Sequence, residues 1–412
     1  MISIAILGHG VVGSGVAEVL WRNAQSIAAK AGEKITVKRI LDLREFPELP
    51  YADRFTKSFD DILQDDDIRI VVETMGGLHP AYDYVRACLE HGKSVATSNK
   101  ELVAEKGDEL LAIAKENGLN FLFEASVGGG IPILRPLDQC LAANEVFEIA
   151  GILNGTTNFM LTKMIREHMS FDGALSLAQR LGYAERDPSA DVGGADACRK
   201  LSILASLAFG KRVPPEEVYT EGITAVTQED VAYAAALGGV IKLVGRVIRT
   251  EDCRLYCLVA PMILYKGNLL ADVDDVYNGI MVRGDSVGDV VFVGRGAGKL
   301  PTASAVVADV IDEAKHLTAR KTLFWGPAEP GYVRDHRLAP AAMLVRFTCE
   351  KDAGALVQIG RTFGDVRMVS VPDAPEDEVA FVTPCMPEYL LAEKFDSFKG
   401  MRLVRALRIY MH

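Results

Sequence analysis

Long hydrophobic runs are absent from this chain of 412 residues. No apolar stretch reaches eighteen residues, so no segment is expected to cross a membrane as a helix. The opening MISIAILGHG lacks a basic n-region and moves straight into a strand pattern, so a secretory leader is not expected. Excess positive charge is missing too: the net charge of −11 argues against a general nucleic-acid surface. Lys399, Arg402, Arg405 and Arg408 cluster near the end, but apolar residues separate them, and they read as an edge strand or a solvated face. The seven cysteines are scattered without a CxxC pair, which suits reduced thiols in a cytoplasmic protein rather than a disulfide framework. The seven histidines are equally dispersed, and none joins a cysteine at zinc-site spacing. A Walker lysine motif is absent, so a kinase reading has no support.

What is present is concentrated in LGYAERDPSADVGGADACRK, residues 181–200. Glu185, Asp187, Asp191, Asp196 and Lys200 fall within sixteen residues. Lys200 follows Asp196 by four, which on a helix places both side chains on one face. The next residues, LSILASLAFG, are almost wholly apolar, so that helix is expected to run inward. Carboxylates and a lysine at the mouth of a buried helix suit an ammonium-bearing substrate and a proton-transfer group. A helix N-terminus decorated with acids, which the helix dipole favours, is the plain alternative.

Strand and helix patterns alternate from SIAILG through NFLFEASVGGG, which implies a parallel, doubly wound α/β sheet. VVGSGVAEVLWRNAQSIAAKA reads as one helix between the first two strands. Gly128, Gly129 and Gly130, followed by Pro132, read as a hinge. The expected domains are a dinucleotide-binding Rossmann domain over 1–130, completed by about 291–320; an α+β catalytic and dimerisation domain over 131–290; and a small βαββαβ domain over 338–412. The stretch FWGPAEPGYVRDHRLAP reads as a linker.

Gly8-His9-Gly10-Val11-Val12-Gly13 matches GxGxxG directly after a strand and at the opening of a helix. The first glycine permits the tight turn, the second lets the backbone approach a pyrophosphate, and the third lets helix pack on strand. The acidic residue expected at the end of the second strand is Asp42. It lies 29 residues beyond Gly13, later than the usual ~20, which implies a longer first helix or loop. Asp42 would bind the adenosine ribose and favour NAD; Arg44 would accept a 2′-phosphate and favour NADP. The sequence leaves the two open. Lys100 ends a strand on the cofactor side, where an ordinary surface lysine is the alternative. Gly294–Gly298 form a second glycine loop before a helix. Asn154-Gly155-Thr156-Thr157-Asn158 offers either a substrate loop or a capped helix start. His9 and His79 read as positional.

GHGVVGSGV, VVETMGG, TSNKELVAEKG, FEASVGGGIPI, GILNGTTNFMLTKM, LGYAERDPSADVGGADACRKLSILASLAFG and VGRGAGKLPTASAVVADVID, in this order, resemble homoserine dehydrogenase over roughly residues 1–320. The resemblance implies NAD(P)-dependent interconversion of L-homoserine and L-aspartate 4-semialdehyde, in threonine, methionine and isoleucine synthesis. It implies that Lys200 and Lys100 are catalytic, and that Glu185, Asp191, Asp196, Lys100, Gly155 and Thr156 bind substrate. The implied cofactor contacts are Gly8, His9, Gly10, Val11, Val12, Gly13, Asp42, Arg44, Thr74, Lys100, Gly182 and Gly298. Glu124, with the backbone at Val127, Gly129 and Ile131, matches a sodium site. A homodimer or larger homo-oligomer is implied, with no nucleic-acid or membrane partner.

The C-terminal module resembles a divergent ACT domain. Asp352-Ala353-Gly354-Ala355-Leu356 stands where such domains often read Asp-x-Pro-Gly-x-Leu, here without the proline. L-threonine is the candidate effector; a dimerisation module is the alternative. Two further classes compete with the enzyme: a non-catalytic dinucleotide sensor, and an oxidoreductase of another amino-acid-derived aldehyde. Both lysines are present, which disfavours the sensor.

Overall fold

The computed structural model describes residues 1–321, 323–350, 354–372 and 374–411. Its first unit contains β1 (Ile2–Leu7), α1 (Val11–Arg22), α2 (Ala24–Ala31), β2 (Ile35–Leu41), β3 (Phe55–Thr56), α3 (Asp60–Leu63), β4 (Ile68–Glu73), α4 (Ala81–Glu90), β5 (Ser94–Thr97), α5 (Lys100–Glu116) and β6 (Phe121–Leu122). All strand pairs are parallel, in the order β3-β2-β1-β4-β5-β6. Ile4, Ala5, Ile6 and Leu7 are fully buried, because helices cover both faces of a parallel sheet. The order reverses between β1 and β4, and the loops that leave the carboxyl ends at such a switch point are where sheets of this kind take a ligand.

Two details differ from expectation. The single helix expected over 11–31 is broken at Asn23, whose backbone (φ −106°, ψ 18°) ends α1 and starts α2. That second helix accounts for the distance to Asp42. The strand expected in NFLFEASVGGG is only two residues long. The Glu124 carboxylate accepts the N–H groups of Ile133 and Leu134 on Oε1 (2.6 and 2.8 Å) and of Arg135 on Oε2 (2.8 Å), which folds the chain away from the ladder.

The second unit contains β7 (Val146–Ile152), α6 (Gly155–Arg166), α7 (Phe171–Arg180), α8 (Ser189–Val192), α9 (Ala195–Phe209), β8 (Tyr219–Thr220), α10 (Gln228–Ala236), β9 (Gly239–Arg249), β10 (Leu255–Tyr265), β11 (Tyr277–Gly284) and β12 (Gly288–Arg295). Then α11 (Lys299–Lys315) returns to pack on α1. The sheet order is β12-β11-β7-β9-β10, with every neighbour antiparallel. Gly284-Asp285-Ser286-Val287-Gly288 is a GxSxG match, but it forms the hairpin between β11 and β12. A nucleophile elbow needs a strand-to-helix turn, so the match carries no hydrolase chemistry.

The rest contains β13 (Val333–Arg334), β14 (Pro340–Cys349), α12 (Ala355–Phe363), β15 (Arg367–Val369), β16 (Glu378–Val382), β17 (Met386–Pro387), α13 (Glu388–Asp396) and β18 (Met401–Ile409). Its strands continue the second sheet as β18-β14-β16-β15, because β18 pairs in parallel with β10 at Met262 and Ile263. Met343, Val345, Phe347, Ile359, Phe381, Leu391, Phe395 and Phe398 form a separate small core there. Asp352 and Ala353 of the ACT-like signature lie outside the described residues.

Two expectations are corrected. The segment read as a linker is packed: Trp325 and Tyr332 are buried, Gly326 bonds Gly210 and Arg212 through its backbone, and β13 pairs with β10. Proline and glycine suggested freedom there, but the aromatic anchors among them decide otherwise. The strand expected at an edge or on a solvated face is not an edge, and only Lys399 and Arg402 of the four basic residues are exposed. It runs between β14 and β10, and the Arg405 and Arg408 side chains are only 16% and 11% exposed.

Candidate active site

The glycine loop after β1 has the shape its spacing requires. Gly8 sits at φ +91°, and a Cβ on Gly13 would stand 1.9 Å from the Gly8 carbonyl oxygen and 2.7 Å from Thr74 Oγ1. A Cβ on Gly10 would meet nothing within 4 Å, so that side of the loop is open to a ligand. Thr74 Oγ1 donates to the Gly8 carbonyl at 2.9 Å and braces the turn from β4. Val11 is exposed at the first turn of α1, whereas Val12 packs inward.

Asp42 follows β2 and accepts the backbone N–H of His9 at 2.8 Å. Arg44 clasps the same carboxylate through Nε (2.9 Å) and Nη2 (2.8 Å). That guanidinium, with two backbone N–H groups, holds the Asp42 carboxyl far below the usual range against the cost of burial. Asp42, Arg44, Phe46, Phe55 and Thr56 line a cavity of about 340 Å³. The His9 ring turns away from the loop. It stands edge-on to Phe46, Tyr51 and Phe55 at 5.0, 5.8 and 5.0 Å, and burial lowers its pKa.

A larger cavity of about 580 Å³ is lined by both units. It gathers Lys100, Gly155, Thr156, Gly182, Glu185, Asp191, Asp196, Lys200 and Gly298. Several are set by helix starts. Asn99 caps α5 by accepting the Leu102 N–H, which leaves Lys100 in the first turn. Asn154 caps α6 by accepting the Thr157 N–H, with Gly155 and Thr156 at that helix's start. Asp196 and Lys200 occupy one face of α9, and Asp191 ends α8 just before it.

Asp196 is the hub. Its Oδ1 pairs with Lys100, and its Oδ2 accepts from Lys200 Nζ and from Asn154 Nδ2, both at 2.8 Å. Asn154 Nδ2 also donates to Asp191 Oδ1 at 2.7 Å. Lys200 Nζ donates in addition to the Leu153 carbonyl at 2.8 Å. Burial lowers the Lys200 pKa, Asp196 raises it, and Lys100 lowers it further, with a net downward shift. Burial alone would raise the Asp196 pKa, but the two lysines overcome it and hold the carboxyl ionised. Asp191 moves the other way: burial raises its pKa, and the Asp196 charge adds to that. Glu185 is exposed at the cavity rim.

Lys100 from the first unit therefore meets the candidates of residues 154–200 and Gly298 in one place. Gly8–Gly13, Asp42, Arg44 and Thr74 stand at the carboxyl edge of the parallel sheet. Glu124, Val127, Gly129 and Ile131 lie apart from both cavities, at the hinge between the units. There a Cβ on Gly129 would stand 2.2 Å from the Gly296 carbonyl, so hinge and second glycine loop touch backbone to backbone. Asn154 was legible as part of a substrate loop or as a helix cap; that its amide joins two carboxylates depends on residues 37 and 42 positions away. Tyr183, Arg199 and Arg295 also line the cavity; they lie within the quoted motifs but were not singled out there.

Comparison with known proteins agrees with this arrangement. The family described as "Homoserine dehydrogenase" matches residues 132–311, and "Homoserine dehydrogenase, NAD binding domain" matches residues 8–124. A homoserine dehydrogenase of Synechocystis sp. is 44% identical over 88% of this chain and 87% of its own length. The crystal structure of a homoserine dehydrogenase from Thiobacillus denitrificans superposes with a TM-score of 0.88 at 36% identity, covering 99% of this chain and 98% of that one. A hyperthermophilic archaeal homoserine dehydrogenase in complex with NADPH matches with a TM-score of 0.65 at 30% identity, covering 76% of this chain and 97% of that one.

Proposed function

The chain belongs to the homoserine dehydrogenase family and is an NAD(P)-dependent oxidoreductase acting on L-homoserine, and we propose that Lys200 moves the proton of that reaction. The observation that carries this is the placement of its amine. A lysine ammonium has three N–H donors and no acceptor. Two are spent on the Leu153 carbonyl and Asp196, which leaves one for the substrate oxygen. Charged, Lys200 protonates the aldehyde oxygen as the alcohol forms. Neutral, it offers a lone pair to the hydroxyl proton in the oxidative direction. Its lowered pKa brings the neutral form within reach. Lys100, across Asp196, keeps that carboxylate neutralised and lowers the Lys200 pKa.

Asp191 and Glu185, with the remaining lone pair of Asp196 Oδ1, bind the substrate ammonium. Gly155 and Thr156 present helix N-terminal N–H groups to its carboxylate. The open face of Gly10 and the braced turn at Gly8, Gly13 and Thr74 fit a pyrophosphate. Gly182 and Gly298, which line the cavity, would hold the nicotinamide, and the nicotinamide would supply the hydride acceptor or donor when bound. The His9 N–H is engaged by Asp42, so Gly10 and the start of α1 carry the phosphate contacts. Cofactor choice turns on Asp42 and Arg44: a ribose 2′-hydroxyl competes with Arg44 for the carboxylate, whereas a 2′-phosphate draws Arg44 away.

The chain order β14-α12-β15-β16-β17-α13-β18, βαββαβ apart from the two-residue β17, supports reading residues 338–412 as an ACT-like regulatory domain, for which L-threonine is the candidate effector, beside a binding domain over 1–130 and a catalytic domain over 131–290. A cation held by Glu124, Val127, Gly129 and Ile131 would draw on main-chain carbonyls, because the Glu124 carboxylate is spent on three N–H groups. The enzyme would work as a homo-oligomer in threonine, methionine and isoleucine synthesis. The test is nicotinamide absorbance at alkaline pH with L-homoserine, offering NAD and NADP separately, with and without L-threonine. Homoserine-dependent reduction supports the reading; no reduction by folded protein that binds either cofactor overturns it.

A further inference from the structure

The last strand reaches back to the active site through one carboxylate. Arg408, on β18, donates from Nη1 to Glu221 Oε2 at 2.9 Å and grips both Glu388 oxygens at 2.7 and 2.8 Å. Arg405 Nη2 faces Glu221 Oε1 at 3.1 Å, an ion pair outside hydrogen-bond alignment. Arg405 Nε also stands 3.7 Å from Asp230. Neither arginine is a free surface charge, so these pairs act in a medium that screens them little.

Glu221 lies in a segment that meets the joint of the catalytic helices backbone to backbone at Gly222. Its N–H is fixed to the Val259 carbonyl of β10 at 2.8 Å. A Cβ on the next residue, Gly222, would stand 2.1 Å from the Val192 carbonyl, and the Ile223 N–H donates to that carbonyl at 2.8 Å. Thr220 Cγ2 would lie 2.9 Å from a Cβ on Gly194. Val192–Gly194 is the joint between α8, which carries Asp191, and α9, which carries Asp196 and Lys200. No side chain cushions the contact between Gly222 and that joint, so a displacement of one passes to the other.

We propose that Glu221 is a positioning residue for the dehydrogenase reaction: held by Arg405 and Arg408, it seats Thr220–Ile223 under the α8–α9 joint and thereby sets Asp191 against Asp196 and Lys200. The proposal rests on Asp191 as a ligand of the substrate ammonium. Placement errors of about 1 Å at a reacting site cost up to ~100-fold in rate, and a shift confined to Asp191 falls on substrate binding. The C-terminal module is thereby tied mechanically to the substrate end of the cavity.

Steady-state kinetics of the full chain test this with Glu221→Gln, Asp191→Asn and the double variant. Glu221→Gln is expected to raise KM for L-homoserine about 5-fold or more, with kcat and KM for the nicotinamide cofactor within about 2-fold. Because Glu221 acts through Asp191, the double variant is expected to have the KM of Asp191→Asn alone. Multiplying effects, or an unchanged KM in folded Glu221→Gln, would overturn the proposal while leaving Asp191 as a ligand. An unchanged KM in Asp191→Asn would instead overturn the ligand assignment, and this proposal with it. Should Glu221→Gln not fold, Arg405→Lys carries the test: the same selective rise in KM supports the proposal, and an unchanged KM overturns it.

Discussion

Lys200 meets Asp196 at 2.8 Å along one face of α9, and Lys100 binds the other oxygen of the same carboxylate from α5. Two ammonium groups share one buried anion, and the Lys100 charge lowers the proton affinity of Lys200. The arrangement keeps Lys200 buried and hydrogen-bonded, with a proton it can release.

Replacing that proton carrier should stop the chemistry and spare the cofactor. Lys200→Met retains the buried volume and leaves Asp196 paired with Lys100. It is expected to lower kcat by ~10²–10⁴, with the dissociation constant for NAD(P)H, read by nucleotide fluorescence, unchanged. Wild-type turnover in the variant would remove Lys200 from the mechanism.

The pH profile follows from the direction of the Lys200 shift. Oxidation of L-homoserine needs the neutral amine, so kcat is expected to rise with pH and level off below the ordinary lysine value of ~10.4. Reduction of the aldehyde needs the ammonium and should decline over the same window. Stopped-flow rates in both directions check this; profiles that rise together would contradict it.

Asn154 holds two carboxylates with one amide nitrogen, at 2.7 Å to Asp191 and 2.8 Å to Asp196. Hydrogen bonds to charged groups contribute about 1.5–3 kcal/mol, so Asn154→Ala is expected to raise KM for L-homoserine about 10-fold. The variant also loses the cap of α6, which should lower stability by about 1 kcal/mol. Urea denaturation measures the second effect and initial rates the first. A loss of stability with KM unchanged would reduce Asn154 to a cap.

Glu313 is fully buried on α11, and neither carboxylate oxygen has a hydrogen-bond partner. Burial, and then the Asp309 and Asp312 charges, drive its pKa well above the ordinary 4.5. The folded chain thus keeps a proton that the unfolded chain releases. It binds more protons than the unfolded chain above pH 4.5, so stability falls as pH rises from there towards the folded value, by about 1.4 kcal/mol per unit. Glu313→Gln removes this dependence. Its melting temperature is expected to exceed that of the parent at pH 7, with the gain shrinking towards pH 4. A difference independent of pH would show that Glu313 does not titrate this way.

Much of this protein was legible before any coordinates. Gly8, Gly10 and Gly13 could be assigned because their spacing meets a local demand, a tight turn feeding a helix. Asp196 and Lys200 could be paired because four residues make one helical turn. Where a segment looked polar or Gly- and Pro-rich, local reading failed: Trp325 anchors the supposed linker, and Arg405 and Arg408 sit inside the structure. Charge alone does not say whether a partner waits across a sheet.

The sequence by itself determined the alternating α/β pattern, the dinucleotide turn and the one-sided helix that carries Asp196 and Lys200, because those features depend on neighbours within a few residues. Only the tertiary structure decided that Lys100 joins Asp196, that Asn154 bridges Asp196 to Asp191, and that Glu221 binds the last strand beneath them. These contacts join residues 37 to 187 positions apart. Their geometry comes from the packing of whole elements, which no local spacing encodes.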